Sequence, residues 1–130
     1  MLRKCGKAKK AAISVSEAYI SFYLKRNRIH VFADTLRGIG SPAFIRFLIS
    51  EDGRSILMTP YNKKDFSSHR VSSEIYKGKK QLEIYSIRLC SVLKKMYGWG
   101  AEESYRIPGM IAQQQKVAVF SLDNALKIDH

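Results

Sequence analysis

The chain has 130 residues, 45% of them hydrophobic, and it carries 23 Lys and Arg against 11 Asp and Glu, a formal net charge of +12. That length suits one domain with a genuine core, because folding at this size buries roughly two thirds of the surface the unfolded chain exposes. The charge favours polyanions as partners, and no run crosses a bilayer: the most apolar one, Ala43–Ile49, contains Arg46 and falls far short of the roughly 20 residues needed.

Residues 1–12 hold Arg3, Lys4, Lys7, Lys9 and Lys10 and no acid, the composition of a disordered basic tail, and residues 13–130 read as a single domain. Ser14, Ser16, Glu17 and Ser21 interrupt the apolar stretch that follows, and no small-x-small cleavage site comes after it, so no secretory signal is expected. Residues 13–24 then alternate, with Ala18, Ile20, Phe22 and Leu24 on one side, which is strand periodicity. A basic turn, Lys25, Arg26, Asn27 and Arg28, joins this run to a second strand at Ile29–Phe32, so the two predict a hairpin with a strongly positive end. Asp34 is placed to cap a short helix over Thr35–Ile39, which Gly40 and Ser41-Pro42 end. Phe44–Ser50 and Ser55–Thr59 flank Asp52-Gly53, the clearest hairpin in the chain.

Past the polar loop 61–69, Arg70–Tyr76 and Leu82–Tyr85 read as a further hairpin around Lys77-Gly78-Lys79-Lys80. Ile87–Tyr97 is the best helix, with Leu89, Val92, Leu93 and Met96 on one stripe, Ser86 at its start and Gly98 as its stop. Tyr105–Ala112 and Val117–Leu122 form the last hairpin. Pro108-Gly109 pushes its first strand toward a sheet edge or a bulge, and Asp123 is placed to cap a final turn through Leu126.

Residues 29–60 and 82–122 thus share one plan of strand, helix, strand, turn and strand. Written with the flanking strands, the order is ββαββ twice. The expected fold class is α+β: a duplicated unit, one mainly antiparallel curved sheet, and two helices on one face.

No catalytic pattern accompanies the repeat, and an enzyme is not expected. His30, His69 and His130 lack the spacing of a metal site, Glu51-Asp52 and Glu102-Glu103 are adjacent acids whose side chains diverge, and Ser67-Ser68-His69 offers sequence adjacency alone. Gly38-Ile39-Gly40 and Gly78-Lys79 are fragments of phosphate-binding motifs and read as turns, so no cofactor and no metal is expected. Cys5 and Cys90 are the only thiols. Cys90, inside an apolar stripe, reads as a small core residue, and a reducing cytoplasm is the expected location.

The basic residues carry more information. Arg88, Lys94 and Lys95 fall on the long helix away from Leu89, Leu93 and Met96, Arg37 lies on the short one, and neither helix carries an acid after Asp34. With Lys25, Arg26 and Arg28 of the basic turn, these form the candidate nucleic-acid-binding set. Tyr19, Tyr23, Tyr76, Tyr85 and Trp99 are candidates to stack on bases, or else cross-strand pairs.

Over Ile29–Leu122 the duplicated plan, with Arg37, Arg88, Lys94 and Lys95 on its helices, resembles one domain of the DNA sliding clamps. That resemblance implies helices facing duplex DNA and a homo-oligomer as the assembly able to close a ring. Over residues 29–60, the run through Leu36-Arg37, Ile39-Gly40 and the hairpin ending at Pro60 resembles the AbrB/SpoVT swapped-hairpin DNA-binding module, which implies a DNA contact for Arg37. There Ala33-Asp34 replaces the usual proline before the helix, and Ser41-Pro42 stands where a Gly-Asp turn is usual.

The leading expectation is therefore a non-enzymatic protein that binds duplex DNA through its backbone, without sequence preference. The alternatives are a small protein-interaction or accessory factor of a mobile element, offering sheet edges to an acidic protein, and an AbrB-like transcriptional regulator. No membrane partner is expected.

Overall fold

The computed structural model describes residues 15–128. The tail expected over residues 1–12 lies outside them. Among the described residues nine strands form one mainly antiparallel, curved and nearly closed sheet, and two α-helices complete an α+β architecture.

Strand β1 (Val15–Tyr23) and β2 (Arg28–Phe32) form the expected hairpin, closed by a 3-10 turn at Leu24–Arg26 and by Asn27 in the left-handed region at φ 54°. Ala18, Ile20, Phe22 and Leu24 are all buried, as their alternation requires.

Helix α1 (Ala33–Gly38) starts directly from β2, earlier than the sequence suggests. The expected Asp34 cap is not made. Phe32 occupies the capping position, and Asp34, inside the first turn, instead accepts from the Arg37 guanidinium at 3.0 Å. The end of α1 follows the sequence: the Gly40 amide donates to Arg37 O at 3.0 Å and the Ser41 amide to Leu36 O at 2.9 Å. This is the Schellman pair, and it requires positive φ at Gly40, here 102°.

The hairpin of β3 (Phe44–Ile49) and β4 (Ser55–Pro60) forms around Asp52-Gly53. Asp52 makes the turn rigid by accepting from the Ser50 hydroxyl at 2.7 Å and the Arg54 amide at 3.0 Å, bonds that hold its carboxyl below the usual carboxylate range.

The hairpin expected over Arg70–Tyr85 does not form. Only His69–Arg70 is extended (β5), and it pairs with β3, while Ser73–Lys77 is a 3-10 turn capped by the Ser72 hydroxyl. Strand β6 (Gln81–Tyr85) pairs with β2, burying Leu82 and Ile84. Two apolar runs were visible here, but the run of residues 70–76 meets the core through Val71 and Ile75, spaced for a turn.

Helix α2 (Ile87–Tyr97) has the expected limits, with the Ser86 hydroxyl accepting from the Leu89 amide at 3.2 Å and Gly98 left-handed at φ 66°. Only Cys90 and Leu93 of its stripe are fully buried; Leu89 is half-buried, and Val92 and Met96 are exposed. Ser86→Ala should cost about 1 kcal/mol of stability, read as a lower denaturation midpoint at unchanged slope.

Strand β7 (Ser104–Ala112) lies inside the sheet, contrary to the edge position that Pro108 suggests. It pairs with β1 along its whole length. On its other side it pairs with β8 (Val117–Ser121) over Gly109–Ala112 and with β9 (Leu126–Ile128) over Ser104–Arg106. Pro108 falls in the break between those two partners, where a missing N–H leaves no ladder bond unmade. The break itself is the 3-10 turn Leu122–Asn124, and Asp123, rather than capping a turn through Leu126, sits 3.7 Å from the Arg54 guanidinium.

The sheet order is β5-β3-β4-β8-β7-β1-β2-β6, with β9 added beside β7. Because β2 and β6 run antiparallel and each leads into a helix, α1 and α2 begin at opposite ends of that pair. The far end of α1 packs on the β7–β8 hairpin, with Gly38 against Ile111 and Gly40 against the Lys116 stem. The far end of α2 packs on the β3–β4 turn, with Met96 against Gly53 and the Tyr97 hydroxyl donating to Gly53 O. These turns are at opposite ends of the β4–β8 pair. The helices therefore cap opposite ends of the sheet instead of lying together over one face, because each follows one strand of an antiparallel pair.

Candidate nucleic-acid interface

The basic turn between β1 and β2 is held at both shoulders. The Leu24 amide donates to Glu103 O at 3.1 Å, and Asn27 O accepts from the Ser86 amide at 2.9 Å, the residue that caps α2. The start of α2 is thus fixed beside the turn.

A shallow cavity of about 320 Å³ opens at this turn, lined by Tyr23, Lys25, Arg26, Arg28, His30, Glu83 and Ser104. Three cations face one carboxylate there. Glu83 is engaged by the Arg28 guanidinium at 3.4 Å and by His30 Nε2 at 3.1 Å, while His30 Nδ1 meets the Gln81 amide at 3.2 Å. The Arg28 guanidinium also lies 4.9 Å from the centre of the Tyr85 ring. Lys25 and Arg26 are exposed and form no ion pair among the described residues, which leaves two cations to meet an incoming anion.

The other members of the candidate set are dispersed. Arg88 extends over the Phe66 ring at 5.3 Å, and Lys94 and Lys95 lie two turns further along α2. Arg37 is on α1, bound to Asp34. It has basic company that the sequence reading assigned only to a turn: Lys77, Lys79 and Lys80 are exposed, and Lys80 O accepts from the Ala33 amide at 2.8 Å, at the start of α1. Each basic turn therefore pins the first residues of the helix that follows the other strand of the β2–β6 pair. No family model, curated protein or solved structure matches this chain.

Glu83 and Tyr85 escaped the sequence reading as partners of the basic turn. They reach it through the register Arg28↔Tyr85 and His30↔Glu83, which joins strands more than fifty residues apart and leaves no local trace. Of the candidate stacking rings, Trp99 lies 4.0 Å from Tyr105 in a parallel stack, Tyr76 donates to Pro42 O at 2.7 Å, and Tyr23 packs on His30. Tyr19 and Tyr85 remain exposed.

The groups once open to a catalytic reading are otherwise occupied. Ser67 Oγ donates to Asp65 Oδ1 at 2.7 Å and Ser68 Oγ to Asp65 O at 3.1 Å, while His69 packs on Phe47 and burial pushes its pKa down. Burial also pushes the Cys90 thiol up to about 11, so at neutral pH it is a protonated core group.

Beneath the basic turn, Glu103 accepts from the Lys127 ammonium, the Gly100 amide at 2.7 Å and the Tyr105 hydroxyl at 2.8 Å. Lys127 first, then these donors, hold its carboxyl at about 2 against an ordinary 4.5. A carboxylate lowered by folding stabilises the fold above its unfolded pKa and loses that contribution as pH falls toward the folded one. Acid unfolding should therefore steepen between pH 4.5 and about 2. Glu103→Gln should flatten that part of the curve, measured by circular dichroism.

Proposed function

We propose that this chain is a non-enzymatic protein that holds the phosphate backbone of duplex DNA with the basic turn Lys25–Arg28, beside the start of α2. One observation carries the reading: Lys25 and Arg26, without ion pairs among the described residues, stand with Arg28 around one cavity on a turn whose backbone is bonded to the cap of α2 and so is held rigid. A rigid cluster loses little side-chain and loop freedom on binding, and phosphate contacts carry no sequence preference. If four phosphates are neutralised, the logarithm of affinity should fall against the logarithm of salt with a slope of roughly −3.6. Titrating a labelled duplex at several salt concentrations measures it, and a slope near zero would remove the proposal.

The chain also reads as an internal duplication in which β1-β2-α1-β3-β4 corresponds to β5-β6-α2-β7-β8. The pairing supports this by its crossed form: β1 of the first unit pairs with β7 of the second, and β5 of the second pairs with β3 of the first. The two helices exchange contacts in the same way, each packing on the other unit's hairpin and each pinned by the other unit's basic turn. Such an exchange favours the swapped-hairpin plan of the AbrB/SpoVT modules over the clamp plan. It also makes Arg37 with Lys77, Lys79 and Lys80 the counterpart of the first basic patch, separated from it by the β2–β6 pair, about 17 Å of strand.

The regulator reading assigns the main DNA contact to Arg37, whereas the reading favoured here assigns it to the Lys25–Arg28 turn. Arg37→Glu should then weaken duplex binding several-fold less than Arg26→Glu. The reverse order would favour the regulator.

A further inference from the structure

A second surface lies along the outer edge of β3. The bonds from the Tyr61 amide to Phe44 O and from the Ser50 amide to Ser55 O set the parity of the β3–β4 ladder. Even-numbered residues of β3 face β4, so the N–H and C=O of Phe47 and Ile49 point to the opposite edge. There β5 pairs only with Phe44 and Ile45. Among the described residues Phe47 and Ile49 have no partner on that edge, which leaves about 10 Å of strand unpaired.

Edges of this kind are normally guarded by charge, proline or a bulge. The open edge of β6 is guarded, with Glu83 on the strand and Lys79 and Lys80 beside it. Phe47-Leu48-Ile49 itself carries no charge or proline, the Arg46 guanidinium before it lies over the Tyr61 ring at 4.6 Å, and Leu48 is exposed. The edge opens onto a groove of about 330 Å³ whose apolar lining is Phe47, Ile49, Phe66, Leu89 and Val92, and whose polar lining includes His69 and Arg88. Phe66 is 85% exposed, an apolar ring held open beside the groove.

We propose that this edge receives an extended, acidic segment of a partner protein as an added strand. Its main chain would pair with Phe47 and Ile49, alternate apolar side chains would enter the groove, and its acids would meet Arg88 and the general positive field of the chain. A second copy of this chain is disfavoured as occupant, because two molecules of net charge +12 would bring identical basic rims together. A nucleic acid lacks the alternating amides that the open ladder requires.

The probe is a fluorescein-labelled octapeptide alternating valine and glutamate, titrated into the full chain by anisotropy. Binding should saturate, and N-methylation of the peptide amides that donate to β3 should weaken it by about tenfold or more, while methylating the opposite set changes it by less than about twofold. Amide exchange at Phe47 and Ile49 should slow in the complex, and Lys25→Glu with Arg26→Glu should leave peptide binding within about threefold, which separates this surface from the DNA-binding one. Absence of binding, equal binding by both methylated peptides, or unchanged exchange at those two amides would overturn the proposal. So would a single-stranded oligothymidylate that slows those amides where the peptide does not.

Discussion

The double variant Lys25→Glu, Arg26→Glu should bind duplex DNA about a hundredfold more weakly than the parent at low salt, with a salt slope reduced from roughly −3.6 to about −1.8. Each substitution removes a phosphate contact and sets a carboxylate in its place, in a cavity that already holds Glu83. Both positions are exposed, so stability should stay within about 0.5 kcal/mol of the parent. Position and not net charge should decide the outcome. The control is Lys63→Glu, Lys64→Glu, which alters charge equally on the 61–69 loop and should weaken binding by less than about tenfold at the same salt. Equal losses in both variants would mean a diffuse attraction with no interface.

The largest effect on stability is expected at Gly109. A Cβ there would lie 2.3 Å from Val119 O, 2.6 Å from Phe120 Cδ1 and 2.8 Å from Phe120 Cα. Two of those atoms are backbone of the paired strand and cannot move aside without opening the β7–β8 ladder, and Phe120 is fully buried. Gly109→Ala should therefore cost about 3 kcal/mol, the upper part of the overpacking range, and lower the melting temperature by about 10 °C. Gly38→Ala makes a useful contrast. The atoms nearest the Cβ at Gly38 all belong to the Ile111 side chain, the closest at 2.8 Å, and a helical alanine gains up to about 1 kcal/mol, so the change should be near zero. Differential scanning calorimetry of both variants gives the comparison.

These effects mark where local sequence informs the fold. Alternation at Ala18, Ile20 and Phe22, the Asp52-Gly53 turn and the Ser86-to-Gly98 limits of α2 are encoded within a few residues and could be read directly. Pro108 misled because its tolerance depends on the break between β8 and β9, a tertiary feature. The run from Arg70 to Tyr76 misled because two apolar residues four apart serve a 3-10 turn as well as a strand. The position of the helices also lay out of reach, since it follows from β2 pairing with β6 and β4 with β8 across long stretches of chain.

The candidate interface divides along the same line. Lys25, Arg26 and Arg28 announce themselves as a charged turn between two strands. The rigid seat of their turn depends on one backbone bond, from the Ser86 amide to Asn27 O, and the balancing role of Glu83 depends on strand register. The free edge of β3 was invisible for the same reason, because an unpaired strand is defined by which neighbours it lacks.

Amide chemical shifts of the full chain, recorded while a short duplex is added, test the central claim most directly. The largest changes should fall at Lys25–Arg28 and Ser86–Leu89, with a smaller set at Ala33–Arg37 and Lys77–Lys80. Changes confined to other parts of the sheet, or none at saturating duplex and low salt, would contradict the assignment of this turn as the DNA-binding surface.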